Sequence, residues 1–154
     1  MSTLSPLVKI EPNLFRGGIN YLISTLQENE TASEREIPGD GTLLLLKFSF
    51  LAHPLTREDY RILKDQNFRD EDSIGVIDQF WPHSSYSKLI EQRGRRGIGT
   101  KLLEMMTQDA ASQSAQLLYV QTPSFSMQGL LAKKEFIRLS PPEERVPSFY
   151  KPLR

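Results

Sequence analysis

The sequence lacks cysteine, long apolar runs and net charge. The absence of cysteine among the 154 residues excludes disulfides, cysteine nucleophiles and thiolate metal sites. With only two histidines, His53 and His83, we expect no metal site. No apolar run approaches the roughly 18 residues that a membrane-spanning helix needs, so we expect no membrane insertion. The formal net charge of +0 means that no overall field attracts the chain to nucleic acid or to a membrane surface.

The remaining composition is that of an ordinary globular protein. Hydrophobic residues make up 38% of the chain and charged residues 25%, and the length suffices for one domain with a hydrophobic core. Residues 1–6 have neither the basic nor the apolar region of a signal peptide. We therefore expect a single cytoplasmic domain spanning residues 1–154.

A basic, glycine-rich segment leads directly into an amphipathic helix. Residues 93–101 contain four cations and three glycines. Glycines let a backbone approach a ligand closely, and the first N–H groups of a helix have no intrahelical partner and favour an anion. The segment therefore predicts a phosphate-binding loop. The apolar residues that follow it at helical spacing are Ile98, Leu102, Leu103, Met106 and Ala110.

Two common phosphate-binding patterns do not fit this segment. The P-loop requires lysine before serine or threonine, whereas Thr100 precedes Lys101. The dinucleotide pattern requires a third glycine where Leu102 stands. What remains, Arg-Gly-Arg-Arg-Gly-Ile-Gly-Thr-Lys-Leu-Leu, closely resembles the pyrophosphate loop Q/R-x-x-G-x-G/A of the acetyl-CoA-dependent N-acetyltransferase (GNAT) superfamily. One departure is Gly94 at the leading Gln/Arg position, with Arg93 one residue earlier, which one extra loop residue explains.

The resemblance covers residues 86–154 and implies how acetyl-CoA, as co-substrate, binds. In that family two adjacent parallel strands splay apart and the acyl-CoA lies between them; here they correspond to residues 86–90 and 116–121. Residues 86–154 would form the acyl-CoA half and residues 1–85 the acceptor half. Ser124 occupies the place of a family asparagine. The residues that the resemblance assigns to acetyl-CoA are Leu89, Ile90, Arg93, Gly94, Arg95, Arg96, Gly97, Ile98, Gly99, Thr100, Lys101 and Ser124.

The alternation of apolar patterns predicts an α/β (α+β) fold with a mixed, mostly antiparallel central sheet and flanking helices. Such a fold agrees with the acyl-CoA N-acyltransferase resemblance. Residues 28–41 are polar and predict a loop. Strands are expected at residues 7–10, 42–51, 73–81, 86–90, 116–121, 136–139 and 146–153. Helices are expected at residues 19–26, 56–66, 98–114 and 126–134, and the second begins with a capping box formed by Thr56 and Asp59.

Acetyl transfer to an amine requires a base for the amine and a hydrogen-bond donor for the thioester oxygen. Glu91, just before the basic loop, is one candidate base, although it could equally be a surface carboxylate that balances the arginines. Asp78 lies in an otherwise apolar strand and is a second candidate, unless it faces solvent in the alternating pattern. A backbone N–H near Leu89 or Ile90 would serve as the donor in this family.

The departing thiolate needs a proton, which a tyrosine often supplies in this family. When the chain is aligned on Phe136, that position holds Leu131, which has no proton to give. Tyr119, in the second parallel strand, and Tyr150, in the last strand, are candidates to replace it. The alternative for both is an aromatic residue of the core or its rim.

The leading hypothesis is an N-acetyltransferase that transfers acetyl from acetyl-CoA to a small-molecule or peptide amine by direct attack. The alternative is a non-catalytic acyl-CoA-binding or protein-interaction module of the same fold. Nucleic-acid binding by the arginine cluster is a third hypothesis, which the zero net charge and the lack of aromatic residues within the cluster disfavour. No feature marks an oligomer interface, so a homodimer is left open.

Overall fold

The computed structural model describes residues 8–25, 36–49, 57–80, 98–122, 125–140 and 146–153. These residues form one sheet with the strand order β1-β2-β3-β4-β5-β7-β6 and three helices. The strands are β1 (Val8–Phe15), β2 (Gly18–Thr25), β3 (Glu36–Lys47), β4 (Ser73–Gln79), β5 (Leu117–Gln121), β6 (Ile137–Arg138) and β7 (Ser148–Pro152). The helices are α1 (Arg57–Asp65), α2 (Ile98–Ser112) and α3 (Phe125–Lys133).

The sheet is mixed and mostly antiparallel, which confirms the predicted fold class. Strand β2 pairs antiparallel with β1, and β7 pairs antiparallel with both β5 and β6. Strand β5 pairs with β4 in parallel. None of the described helices is long and apolar enough to cross a membrane.

The predicted helix at residues 19–26 is wrong, because β2 occupies Gly18–Thr25. Ile19, Tyr21 and Ile23 are buried, whereas Leu22 between them is partly exposed. This alternation has the period of a strand, and the helical spacing that Ile19 also forms with Leu22 and Ile23 is coincidental.

Two further boundaries in the first third of the chain differ from the prediction. Strand β1 extends past the predicted residues 7–10 and through Pro12 to Phe15, because β1 is an edge strand of the described sheet and an edge strand tolerates proline. The predicted loop at residues 28–41 is wrong at its end, since β3 begins at Glu36. Gly41 lies buried in this strand, where its lack of a side chain makes room for helix α2.

The later elements agree with their predictions to within a few residues, apart from the predicted strand at residues 86–90, which lies outside the described residues. Helix α1 is confirmed, although Thr56, its predicted capping residue, also lies outside them. Regular apolar spacing explains the agreement for α2, and a continuous apolar run explains it for β5. The confirmed elements are α1, α2, α3, β4, β5, β6 and β7.

The described residues form two compact units. One unit contains the described parts of residues 1–43 and 78–107, and the other contains those of residues 44–77 and 108–154. In the first, the backbone of Gly41 lies against Leu102 and Met106. The second has a hydrophobic cluster of eight buried residues. These are Phe48, Leu63, Phe68, Ile74, Leu117, Tyr119, Leu139 and Tyr150.

All three described helices end on a residue other than glycine in the left-handed region. Asn67, Ser114 and Glu135 have φ angles of 72°, 63° and 67°. After each of them, a backbone N–H donates to a carbonyl five residues earlier, as Phe136 N does to Leu131 O at 3.0 Å. This is the Schellman arrangement, in which glycine is the usual residue at the left-handed position.

Glu135→Gly is expected to raise the free energy of unfolding by about 0.5–1 kcal/mol, because glycine avoids the steric cost of the left-handed conformation. Urea denaturation followed by circular dichroism measures the change. Asn67→Gly is the matched control and should gain less, since asparagine tolerates this conformation better than glutamate. A loss of stability in Glu135→Gly would show that the Glu135 side chain itself stabilises the helix end.

Candidate functional site

Helix α2 begins at Ile98, directly after the basic, glycine-rich segment. Its first turn includes Gly99, Thr100 and Lys101, all partly exposed, and contains no acidic residue. No carboxylate of this turn therefore neutralises the positive end of the helix dipole. The first N–H groups of α2, which have no intrahelical partner, are suited to binding an anion.

Most of the predicted acyl-CoA contacts lie outside the described residues. The structure describes Gly99, Thr100 and Lys101 fully, and Ile98 only as the first residue of α2. The assignments to acetyl-CoA stay predictions. The residues outside the described ranges are Leu89, Ile90, Arg93, Gly94, Arg95, Arg96, Gly97 and Ser124, together with the candidate base Glu91.

The prediction that residues 86–90 are the parallel neighbour of β5 is wrong, because in the described sheet β4 occupies that side of β5 and β7 pairs with the other side. Gly75 lies opposite Leu118 and Ile77 opposite Val120. The ladder comprises three residue pairs and ends at Ile77 and Val120, although β4 continues to Gln79. The segment with Glu91 and the basic loop thus connects the carboxyl end of β4 to the first turn of α2. Ligands of open α/β sheets commonly bind at such carboxyl ends.

Asp78 lies near this carboxyl end of β4. The preceding Ile77 is buried, whereas Asp78 and Gln79 are exposed. In the described structure the carboxylate faces solvent, as the alternating pattern allowed. Within the residues that the structure describes, no three histidine or acidic side chains converge as metal ligands would.

The phenol of Tyr119 is buried and donates a hydrogen bond to Asp59. Tyr119 is 1% exposed and Asp59 3%, and the distance from Tyr119 Oη to Asp59 Oδ2 is 2.8 Å. Burial, followed by the hydrogen bond and the negative charge of Asp59, raises the pKa of Tyr119 far above its usual range, while the nearby Ser148 acts in the opposite direction. The phenol therefore stays protonated. The fully buried Ser148 Oγ makes no hydrogen bond in the described structure.

Tyr150 lies in the same hydrophobic cluster. It is opposite Tyr119 in the β5–β7 ladder, and its ring meets that of Phe68 edge to face at 6.4 Å between centroids. Opposite residues of a ladder share one face of the sheet, so both phenols point into the cluster. A role for either in proton transfer requires the cluster to open toward the substrate.

Asp59 is a residue that the sequence analysis did not place in a polar pair. It was interpreted only as a capping residue of α1, because it follows Thr56 by three positions. The available signal was its helical spacing from Leu63, four residues later, which puts both on the inward face of α1. Both are indeed buried.

Known proteins match this chain in three-dimensional structure and not in sequence. No protein-family model matches the sequence, and no curated protein matches it. Arabidopsis thaliana NAA60, solved in complex with acetyl-CoA, matches with a TM-score of 0.57 and 12% identity, over 87% of this chain and 74% of that chain.

Two further structures match at similar levels. AtaTR bound with AcCoA has a TM-score of 0.52 and 14% identity, over 90% of this chain and 72% of that chain. Arylalkylamine N-acetyltransferase 2 from Aedes aegypti has a TM-score of 0.52 and 14% identity, over 88% and 73%. At these identities the likeness is one of fold.

Proposed function

We propose that this chain, which has the fold of the GNAT acetyltransferases, transfers an acetyl group from acetyl-CoA to an amine. We further propose that residues 1–154 act as one domain, with residues 86–154 binding the acyl-CoA. Two of the structures that share the fold were solved with this co-substrate. The likeness in fold supports acetyl-CoA as the ligand. The residues that bind it are inferred from this chain's own sequence and structure.

The start of α2 is the observation that carries the proposal. A helix of 15 residues begins at Ile98 directly after a segment with Arg93, Arg95 and Arg96, and its first turn contains no acidic residue. Helix N–H groups and arginine side chains together suit a pyrophosphate, whose charge is localised and compact. A surface turn that was merely solvated would not need this combination.

The reaction requires few groups beyond the binding site. The amine nitrogen, after loss of a proton to a base, attacks the thioester carbonyl carbon, and the carbon–sulfur bond of the resulting intermediate breaks to release CoA thiolate. Glu91 or Asp78 is proposed as the base. A backbone N–H near Leu89 or Ile90 is proposed to stabilise the negatively charged oxygen of the intermediate.

The proposed mechanism assigns no residue as the proton donor for the departing CoA thiolate. Leu131 cannot supply it, and the burial of Tyr119 and Tyr150 separates their phenols from solvent. The proposed acceptor is a small-molecule or peptide amine. Because one structure that shares the fold is an arylalkylamine N-acetyltransferase, arylalkylamines are a suitable first group of acceptors to assay.

The buried tyrosines favour a second candidate function, a non-catalytic acyl-CoA-binding module of the same fold. Such a module would bind acetyl-CoA at the same loop and would need no proton donor. The two functions differ in turnover and not in binding, so an assay of thiol release separates them.

Arg95→Ala/Arg96→Ala is expected to weaken acetyl-CoA binding by about a hundredfold, because two hydrogen bonds from charged donors contribute about 3 kcal/mol together. Isothermal titration calorimetry on the wild type and the double variant measures this loss. If the wild type binds, a panel of amines with a thiol-release readout follows.

Arg61→Ala/Arg69→Ala is the matched control for this experiment. Both arginines are exposed, and their removal changes the net charge by the same amount as the loop variant. The control should bind acetyl-CoA as the wild type does. No binding by the wild type at millimolar acetyl-CoA would refute the proposed function, and equal losses in the two double variants would refute the assignment to the loop.

A further inference from the structure

Helix α2 packs against β3 at Gly41, where an added side chain would press on two residues of the helix. A methyl group built on Gly41 of β3 would lie 2.6 Å from Met106 Cε and 3.0 Å from Leu102 Cδ2. Real Cβ atoms essentially never come within 3.0 Å of another heavy atom. The φ angle of Gly41 is not in the left-handed region, so a side chain here would be opposed by its contacts with Met106 and Leu102 and not by backbone strain.

Both residues that face Gly41 belong to the buried side of α2. Leu102 and Met106 are 0% exposed and lie one helical turn apart. Gly41 therefore sets how deeply this side of the helix packs on β3. In a close-packed interior, a side chain added at such a contact moves its neighbours, because no empty space exists to receive it.

A displacement of α2 at Leu102 reaches the first turn of the helix. Ile98 precedes Leu102 by four residues, or about 6 Å along the axis, and a helix transmits movement over this distance as a rigid body. Hydrogen bonds from backbone N–H groups to a phosphate require donor–acceptor distances of about 2.7–3.2 Å. A movement of the first turn by a fraction of an ångström lengthens several of these bonds together.

We propose that Gly41 is a positioning residue for acyl-CoA: it sets the depth of α2 and thereby the place of the N–H groups that bind the pyrophosphate. This inference rests on the proposed function. It adds a determinant of acyl-CoA binding that is distant in sequence from the basic, glycine-rich loop.

Gly41→Val and Gly41→Ala provide a graded test. Valine presses on both Leu102 and Met106, and we expect it to raise the dissociation constant for acetyl-CoA by about tenfold or more. Alanine should have a smaller effect, because the flexible end of Met106 can move aside. The affinity is measured by calorimetry at a temperature where circular dichroism shows each variant to be folded, and alanine carries the test if the valine variant does not fold.

Three further variants separate positioning from general stability. Gly129→Ala is the matched control, since a methyl group on this glycine meets nothing within 4 Å. Leu63→Ala removes a buried side chain of α1 and should lower the melting temperature while leaving the affinity within about threefold of the wild type. Gly41→Ala/Met106→Leu lacks the clashing Cε atom and should regain affinity relative to Gly41→Ala.

The results distinguish the inference about Gly41 from the proposed function on which it rests. Tight binding by the wild type with weakened binding by the Gly41 variants, restored in the double variant, supports the inference. Wild-type affinity in folded Gly41→Val, or an equal loss in Leu63→Ala, overturns it and leaves the proposed function intact. Absence of acetyl-CoA binding by the wild type overturns both.

Discussion

Tyr119→Phe is expected to lower the free energy of unfolding by about 2–3 kcal/mol, although it removes a single oxygen atom. The lost atom donates a 2.8 Å hydrogen bond to the buried carboxylate of Asp59. A buried carboxylate has lost its hydration, so each remaining hydrogen-bond donor stabilises it. Hydrogen bonds to charged groups are stronger than those between neutral groups. Urea denaturation of the ligand-free protein, followed by circular dichroism, measures the loss.

Tyr150→Phe is the matched control for this variant. It removes the same atom from the same hydrophobic cluster, in which the ring of Tyr150 packs edge to face on Phe68. Its effect should stay within about 0.5 kcal/mol. In an Asp59→Asn background, Tyr119→Phe should cost less, because a neutral amide replaces the charged acceptor.

The same variants test the role of Tyr119 in catalysis. Equal stability losses in the two phenylalanine variants would show that the Asp59 hydrogen bond contributes nothing particular. Full stability combined with a loss of thiol release in Tyr119→Phe would instead assign the phenol to the reaction.

Leu131→Tyr is expected to destabilise the protein by about 1–3 kcal/mol and to leave the rate of thiol release no faster. Leu131 is fully buried on α3, and its carbonyl accepts the hydrogen bond from Phe136 that ends the helix. A tyrosine at this position would have to displace its neighbours before its phenol could reach a ligand. We therefore expect that a tyrosine at position 131 does not act as a proton donor for the CoA thiolate.

Leu131→Met is the control, because it conserves volume and should cost less than about 1.5 kcal/mol. Denaturation and thiol release are measured on both variants with the same amine. A Leu131→Tyr protein that is as stable as the wild type and acetylates faster would contradict the expectation. It would show that α3 presents this position to the acyl-CoA.

The described elements from α1 onward could be predicted from the sequence, whereas β2 and the start of β3 could not. Helix α2 follows a glycine-rich segment and has one helical periodicity, and strand β5 is a short apolar run that Pro123 soon follows, so local pattern and tertiary structure agree. Residues 19–26 fit both a helical and an alternating pattern, and pairing with β1 decides for the strand. Pairing partners lie elsewhere in the chain, so no local window contains them.

The candidate site, too, could be predicted only where its sequence signal is local. The start of α2 was predictable, because glycine spacing, charge and apolar spacing coincide within a few residues. The bond between Asp59 and Tyr119 joins residues 60 positions apart, and neither has a local signal for the other. The closeness of Gly41 to Met106 likewise depends on how two elements pack, which no motif encodes.

The edge of the sheet at β1 bears on how copies of this protein meet one another. The free rim of an edge strand is a template on which another chain can add a strand, which is one route to aggregation. Proline offers no N–H to an incoming chain, and the charged pair Lys9 and Glu11, 2.5 Å apart, stays hydrated beside Pro12. This rim therefore resists the growth of sheets from one molecule into the next.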